Sequence, residues 1–132
     1  ILVGGGPWRA DTPRLNVRLP GLQDRRPERV VLTRGSIEGV RTIAAPEDIA
    51  TLDALYLYVE GGAATAAAFL ASDLVDRLEI YRAPILIGNG LPALRDIGLS
   101  DLAEAHGRWH RAETRILGPD VYERYERFGQ KG

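Results

Sequence analysis

Leu55-Tyr56-Leu57-Tyr58-Val59-Glu60 is apolar on both faces and stops at Gly61-Gly62. A strand with no polar face must be covered on both sides, so this run predicts a central strand of a layered sheet. Ala63 to Ala71 follows directly, rich in alanine and carrying Phe69 and Leu70. That composition predicts a helix seated closely on the sheet. A buried strand feeding a helix through two glycines sets the class as α/β or α+β.

The flanking segments extend the pattern. Ile1–Val3 reads as a strand that Gly4-Gly5-Gly6-Pro7 cannot continue. Residues 7 to 28 hold four prolines and many charges, which predicts a long loop. Short strands are expected at Arg29–Thr33 and Val40–Ala44, with the first turn of a helix at Pro46–Ala50. Arg77 to Ala83 alternates with period two, and Pro84–Gly88 extends the same strand past a proline. Arg108–Leu117 and Asp120–Phe128, separated by Gly118-Pro119, read as a terminal antiparallel hairpin.

At 132 residues the chain makes one domain, large enough to bury a core without covalent staples. It has no cysteine, which excludes disulfides, zinc-thiolate sites and thiol nucleophiles. With two histidines, His106 and His110, and Gly107 between them, a dedicated metal site is not expected. A net charge of -1 gives no electrostatic footprint for nucleic acid. Short, interrupted apolar stretches and no leader pattern point to a soluble, reduced, cytoplasmic domain. One of the seventeen basic residues is lysine, Lys131, a usage that fits a GC-rich genome better than a phosphate-binding adaptation. The chain has no methionine and opens as if inside a buried strand, so it is expected to be part of something longer on its N-terminal side.

Three places invite chemistry. Gly61-Gly62-Ala63-Ala64-Thr65 joins a strand end to a helix start, where free N–H groups and the dipole favour an anion. Gly-Gly alone is better explained by a tight capping turn with no ligand. Glu60 ends an apolar strand and needs a partner: an arginine, solvent, or the N–H donors of a pyrimidine-type ring. Arg14 and Arg18 lie in Asp11-Thr12-Pro13-Arg14-Leu15-Asn16-Val17-Arg18, where they form a bidentate clamp for a phosphate or simply a charged surface loop. Trp8 reads as a plug between loop and core, and no serine lies in a nucleophile-elbow context.

Together these segments resemble one family. Ile1-Leu2-Val3-Gly4-Gly5-Gly6 followed by Ala10 to Arg18 is similar to the "ILVGxGTVxADDPxLxxR" segment of the reductase domain of riboflavin biosynthesis proteins. Tyr58-Val59-Glu60-Gly61-Gly62 resembles its "hhVEGG" segment, and Leu74–Leu78 through Ala83–Gly88 its "LVDEL…hAPhhhG" segment. The resemblance implies a dihydrofolate-reductase-like fold: a mixed, mostly parallel sheet with helices on both faces and a C-terminal antiparallel hairpin. It implies NADPH-dependent reduction of 5-amino-6-(5-phosphoribosylamino)uracil, and a homodimer. Asp11 and Gly61, Gly62, Ala63, Ala64, Thr65, Ala66, Ala67 and Ala68 are the implied cofactor residues. Leu15, Arg18 and Glu60 are the implied substrate residues, with Arg14 in support. No proton donor is identifiable.

The departures are specific. Pro7 stands where the family has Thr, and Thr12 replaces the second Asp of "ADDP". The family's first strand and first helix have no counterpart here, nor does its upstream zinc deaminase domain, and residues 35 to 39 are short for the family. Two other readings fit such a chain: a dihydrofolate or pteridine reductase on the same fold, and a non-catalytic nucleotide-binding module.

Overall fold

The structure is a computed structural model and describes residues 1–22 and 24–129. Six strands and two α-helices follow in the order β1 (Leu2–Gly4), α1 (Gly5–Asp11), β2 (Val30–Leu32), β3 (Arg41–Ile43), α2 (Ala63–Ala71), β4 (Arg77–Arg82), β5 (Trp109–Leu117) and β6 (Asp120–Arg127). Strands β1, β2 and β3 form a parallel sheet in that order. Strands β4, β6 and β5 form an antiparallel sheet with β6 in the centre. The expected single mixed sheet is thus present as two ladders of three, one parallel and one antiparallel.

Alternation along the parallel strands decides what each face meets. Leu2 and Val30 point to one face and, with Ile43, enclose Phe69 of α2. Val3 and Val31 point to the other face and meet Trp8 of α1. Helices therefore cover both faces of the parallel sheet, as expected. Phe69, Leu2, Val30 and Val31 are the largest side chains taken wholly out of water. Burying each contributes on the order of 1.5–3 kcal/mol.

Helix α1 occupies the start of what the proline count made a long loop. Pro7 lies in its first turn, where a missing N–H breaks no helical bond. Trp8, at the interface with Val3 and Val31, gives this short helix its hydrophobic anchor. Thr12 ends it in the left-handed conformation with φ 40°, its N–H donating to Trp8 O at 2.9 Å. The expected helical turn at Pro46 is a 3₁₀ turn, Pro46–Thr51. Asp48 Oδ2 caps it by accepting from the N–H groups of Ala44 (3.0 Å) and Ala45 (2.9 Å).

Two expectations fail in instructive ways. Leu55–Glu60 is not a central strand. It pairs on one side only, with Leu2 N–H donating to Tyr58 O and Glu60 N–H donating to Leu2 O, both at 2.8 Å. Leu57 and Val59 pack on the Phe69 cluster, while Leu55 and Tyr56 are 95% and 93% exposed. An apolar run shows that both faces suit burial, but covering them needs a neighbour, and none of the described residues supplies one on the outer side. Likewise, Pro84–Gly88 does not continue β4. Ile85 N–H donates to Ala83 O at 2.9 Å, a tight three-residue turn that leads the chain off the sheet. Residues 83–108 are irregular apart from a 3₁₀ turn at Leu102–Ala105 that the sequence did not signal.

The terminal hairpin is present with the expected boundaries to within one residue. Its central strand carries an acid, Glu123, that is 5% exposed. Glu123 accepts from Arg82 of β4 at 2.7 Å and from Arg111 of β5 at 3.0 Å, so one carboxylate ties all three strands together. The Arg111 hydrogen bond holds its carboxyl below the usual glutamate value, and Arg82 acts in the same direction against the opposing effect of burial.

Candidate functional site

Parallel strands end together, and at the C-terminal edge of β1 and β2 the chain opens into a cleft of about 700 Å³. Its floor is the backbone that leaves these strands: Gly4-Gly5-Gly6 after β1 and Thr33-Arg34-Gly35 after β2. Its far wall is the start of α2, from Gly62 to Thr65. Leu91, Pro92 and Arg95 close it from the irregular segment, with Arg95 N–H donating to Ala63 O at 3.3 Å.

The glycines at this edge serve two purposes. A Cβ on Gly4 would overlap Thr65 Oγ1, and one on Gly61 would lie 2.6 Å from both Thr65 Cβ and Cγ2. These two glycines therefore admit Thr65, which is 8% exposed and wedged between the end of β1 and the turn into α2. Gly6 and Gly62 are different. A Cβ on Gly6 would touch nothing within 4 Å, and one on Gly62 only Pro7 Cγ at 3.9 Å. Their bare backbone borders the open cleft, where a ligand can approach the amide groups closely. The N–H groups in the first turn of α2 have no intrahelical partners and carry the positive end of its dipole.

Three guanidinium groups line the same space: Arg9, Arg34 and Arg95. Among the described residues that line it, there is no carboxylate. An arginine-lined concavity with a helix start in its wall concentrates positive potential on an extended anion. The geometry suits a phosphate or diphosphate held by backbone amides and forked guanidinium donors. Composition had shown no such potential, because a chain of net charge -1 hides a local excess of three positive groups.

The sequence-derived residues distribute unevenly around this cleft. Gly62, Ala63, Ala64 and Thr65 line it; Gly61 adjoins it and is occupied with Thr65. Ala66, Ala67 and Ala68 lie deeper in α2 and outside the lining, with Ala67 in the core. Glu60 stands two residues before the lining begins, exposed, with its backbone N–H tied to β1. Beside it, burial raises the Tyr58 phenol above its usual value, and Glu79 and Glu60 push it further in the same direction. Asp11 ends α1, roughly 10 Å along the helix axis from its start at the cleft.

Arg14 and Leu15 are not brought to this cleft. They line a separate cavity of about 520 Å³ with Arg26, Arg29 and Arg41. Leu15 also packs on the Val3–Trp8–Val31 cluster, its backbone left-handed at φ 45°. Arg18 is exposed on the same loop and lines neither cavity. The missed residues are Thr33, Arg9, Arg34 and Arg95. Nothing local marks them, because each reaches the cleft only through the strand order and the path of residues 91–95.

Residues 46–122 match the RibD C-terminal domain family. The chain belongs to this family. It is 35% identical to the riboflavin biosynthesis protein RibD of Mycobacterium tuberculosis over 92% of its length. The RibD of Corynebacterium ammoniagenes is 37% identical over 71% of the chain. These alignments use 40% and 33% of the relatives' own lengths, so the chain spans less than half of either protein. In three dimensions it is similar to RibD of Acinetobacter baumannii (TM-score 0.75, 22% identity, 96% of this chain and 46% of that one). A deaminase/5-amino-6-(5-phosphoribosylamino)uracil reductase of Thermotoga maritima superposes with TM-score 0.76 at 22% identity, over 96% of this chain and 44% of that one. The fold is thus that of RibD, dihydrofolate-reductase-like, and the family is one of riboflavin biosynthesis enzymes. Among the described residues no helix is long and apolar enough to cross a membrane.

Proposed function

We propose that this RibD C-terminal domain is the reductase part of a riboflavin biosynthesis protein and reduces 5-amino-6-(5-phosphoribosylamino)uracil with NADPH. The observation that carries the reading is the cleft itself. Open glycine backbone, the start of α2 and three arginines converge at the C-terminal edge of a parallel sheet, where α/β folds take nucleotides. When bound, the nicotinamide would supply the hydride.

The chain's own residues bind and orient. The α2 start and Arg9, Arg34 and Arg95 hold the cofactor phosphates, with Asp11 contacting the cofactor at a distance from them. Glu60, at the end of the segment that leads into the cleft wall, accepts from the N–H groups of the pyrimidine edge. Arg18 serves the substrate phosphate. Leu15, with Arg14 in support, contacts the substrate from the same loop as Arg18. Holding two ligands at hydride distance and excluding water is the greater part of such catalysis. The enzyme acts in the cytoplasm as a homodimer, in which the unpaired side of β5 and the exposed Ile116, Leu117 and Phe128 meet a partner.

The test is NADPH titration against wild-type protein, Gly62→Val and Arg95→Ala, followed by turnover with the uracil substrate and with dihydrofolate. The reading expects saturable NADPH binding that both variants weaken, and turnover of the uracil compound alone. Unchanged affinity in both folded variants would remove the cofactor from this cleft. Turnover of dihydrofolate instead would move the protein to the pteridine-type reductases.

A further inference from the structure

The chain passes the cleft on its way from β4 to the terminal hairpin. Every residue from 83 to 96 is exposed, and Leu91, Pro92 and Arg95 of this stretch line the cleft. Leu91 is 98% exposed although it borders a concavity. An aliphatic side chain held in water at the rim of a ligand site gains by covering whatever fills that site.

Two glycines in the left-handed region bound this part of the stretch, Gly88 at φ 71° and Gly98 at φ 79°. A Cβ on either would meet nothing within 4 Å, so a side chain there would disturb the backbone conformation and not the packing. A few loop positions of this kind absorb the φ/ψ change of a hinge. Between the two glycines, the described residues show one backbone hydrogen bond to the rest of the fold: Arg95 N–H donates to Ala63 O at 3.3 Å. The other bonds are internal. Gly90 N–H donates to Gly88 O at 2.9 Å, and Gly98 N–H to Asp96 Oδ1 at 2.8 Å. Among the described residues, no ion pair or hydrogen bond engages the Arg95 guanidinium. Its backbone brings Arg95 to the cleft, and its whole fork of donors is left for a ligand. Exposed backbone with few tertiary contacts puts such a segment at the low-stability end of a fold, from which moving lids are drawn.

We propose that residues 88–98 form a strap that closes on the bound dinucleotide, with Arg95 on its diphosphate and Leu91 laid over the adjacent nucleoside. The proposal rests on the reading that NADPH occupies the cleft, and it adds the movement that holds the cofactor there. Gly88 and Gly98 are the hinges, and the Arg95–Ala63 bond already docks one end of the strap beside α2. Closure takes Leu91 out of water and shuts water out of the space above the glycine backbone. Leu91 contacts the ligand only in the closed form and has no packing duty in the free protein.

Hydrogen exchange and NADPH titration on the 132-residue chain test the strap. Saturating NADPH is expected to slow exchange of the amides between residues 89 and 97 about tenfold or more, as a segment that opens rarely must. Leu91→Ala is expected to weaken NADPH binding about tenfold with an unchanged Tm, since it removes most of the aliphatic group that closure covers. Gly98→Val puts a β-branched side chain in the left-handed region and is expected to weaken binding. Gly98→Asn, which tolerates that region, is expected to bind as wild type does. If Gly98→Val fails to fold, Leu91→Ala decides, because a side chain already in water does not support the free protein. Leu86→Ala, also exposed but outside the strap and the cleft lining, is expected to bind as wild type does. Saturable NADPH binding without protection of residues 89–97, or with normal affinity in Leu91→Ala, would overturn the strap and leave the reductase reading standing. A wild-type chain that binds no NADPH would overturn both.

Discussion

Thr65 Oγ1 fills the space that a side chain on Gly4 would need. That contact locks the first turn of α2 against the end of β1, and it sets the width of the cleft between them. Gly4→Ala is therefore expected to cost about 1–3 kcal/mol through overpacking, although alanine is a better strand former than glycine. In a Thr65→Ala background most of that cost should disappear. Urea unfolding of the two single variants and the double variant measures the coupling, and strictly additive losses would show that the contact is not the cause.

Glu60 is exposed, and only its backbone is tied to β1, so its carboxylate is free of any visible structural duty. Glu60→Gln should leave Tm close to wild type. If it binds the pyrimidine edge, KM for the uracil substrate should rise about tenfold, the difference between a charge-assisted and a neutral hydrogen bond. Normal kinetics with a lowered Tm would assign Glu60 to the fold instead.

Glu123 makes the antiparallel sheet sensitive to acid. Its carboxyl is held below the usual glutamate value by Arg111 and Arg82. The unfolded chain therefore takes up a proton at a higher pH than the folded one, and stability falls with falling pH across that interval. The contribution is complete above the ordinary glutamate range, about pH 4.3, and is lost as pH drops through the lower folded value. Tm measured from pH 7 down to pH 3 should fall less steeply in Glu123→Gln than in wild type. Identical slopes would mean that the two arginine bonds do not persist in solution.

Of the aromatic residues on and just after β6, Tyr122 is already used within the chain. It is 3% exposed, with Tyr81 4.9 Å away and Arg115 above its ring at 4.7 Å. Tyr125 is half-buried with a hydrogen bond to Glu123, and Phe128 lies 5.1 Å from the His110 ring but stays 56% exposed, so both keep surface for a partner. Sedimentation at micromolar concentration is expected to show a dimer, and Tyr125→Glu is expected to dissociate it. A single species of monomer mass in the wild type would exclude the dimer.

Local chemistry made much of this protein legible from its sequence. Ala63–Ala71 had to be a helix and Asp120–Arg127 half of a hairpin, because propensity, turn residues and periodicity agree within each segment. The family motifs and the Gly61-Gly62 turn likewise reside in contiguous residues. Tertiary structure decided whatever depends on neighbours far apart in the chain. Trp8 needed Val3 and Val31 to stabilise a seven-residue helix in a proline-rich stretch. Leu55–Glu60 has the composition of a central strand, yet it pairs on one side because pairing is a property of two segments. The sites divide in the same way. The glycines of the cleft are visible in sequence, but its arginines, and the separation of Arg14 from it, follow from which end of a parallel strand each connecting segment meets.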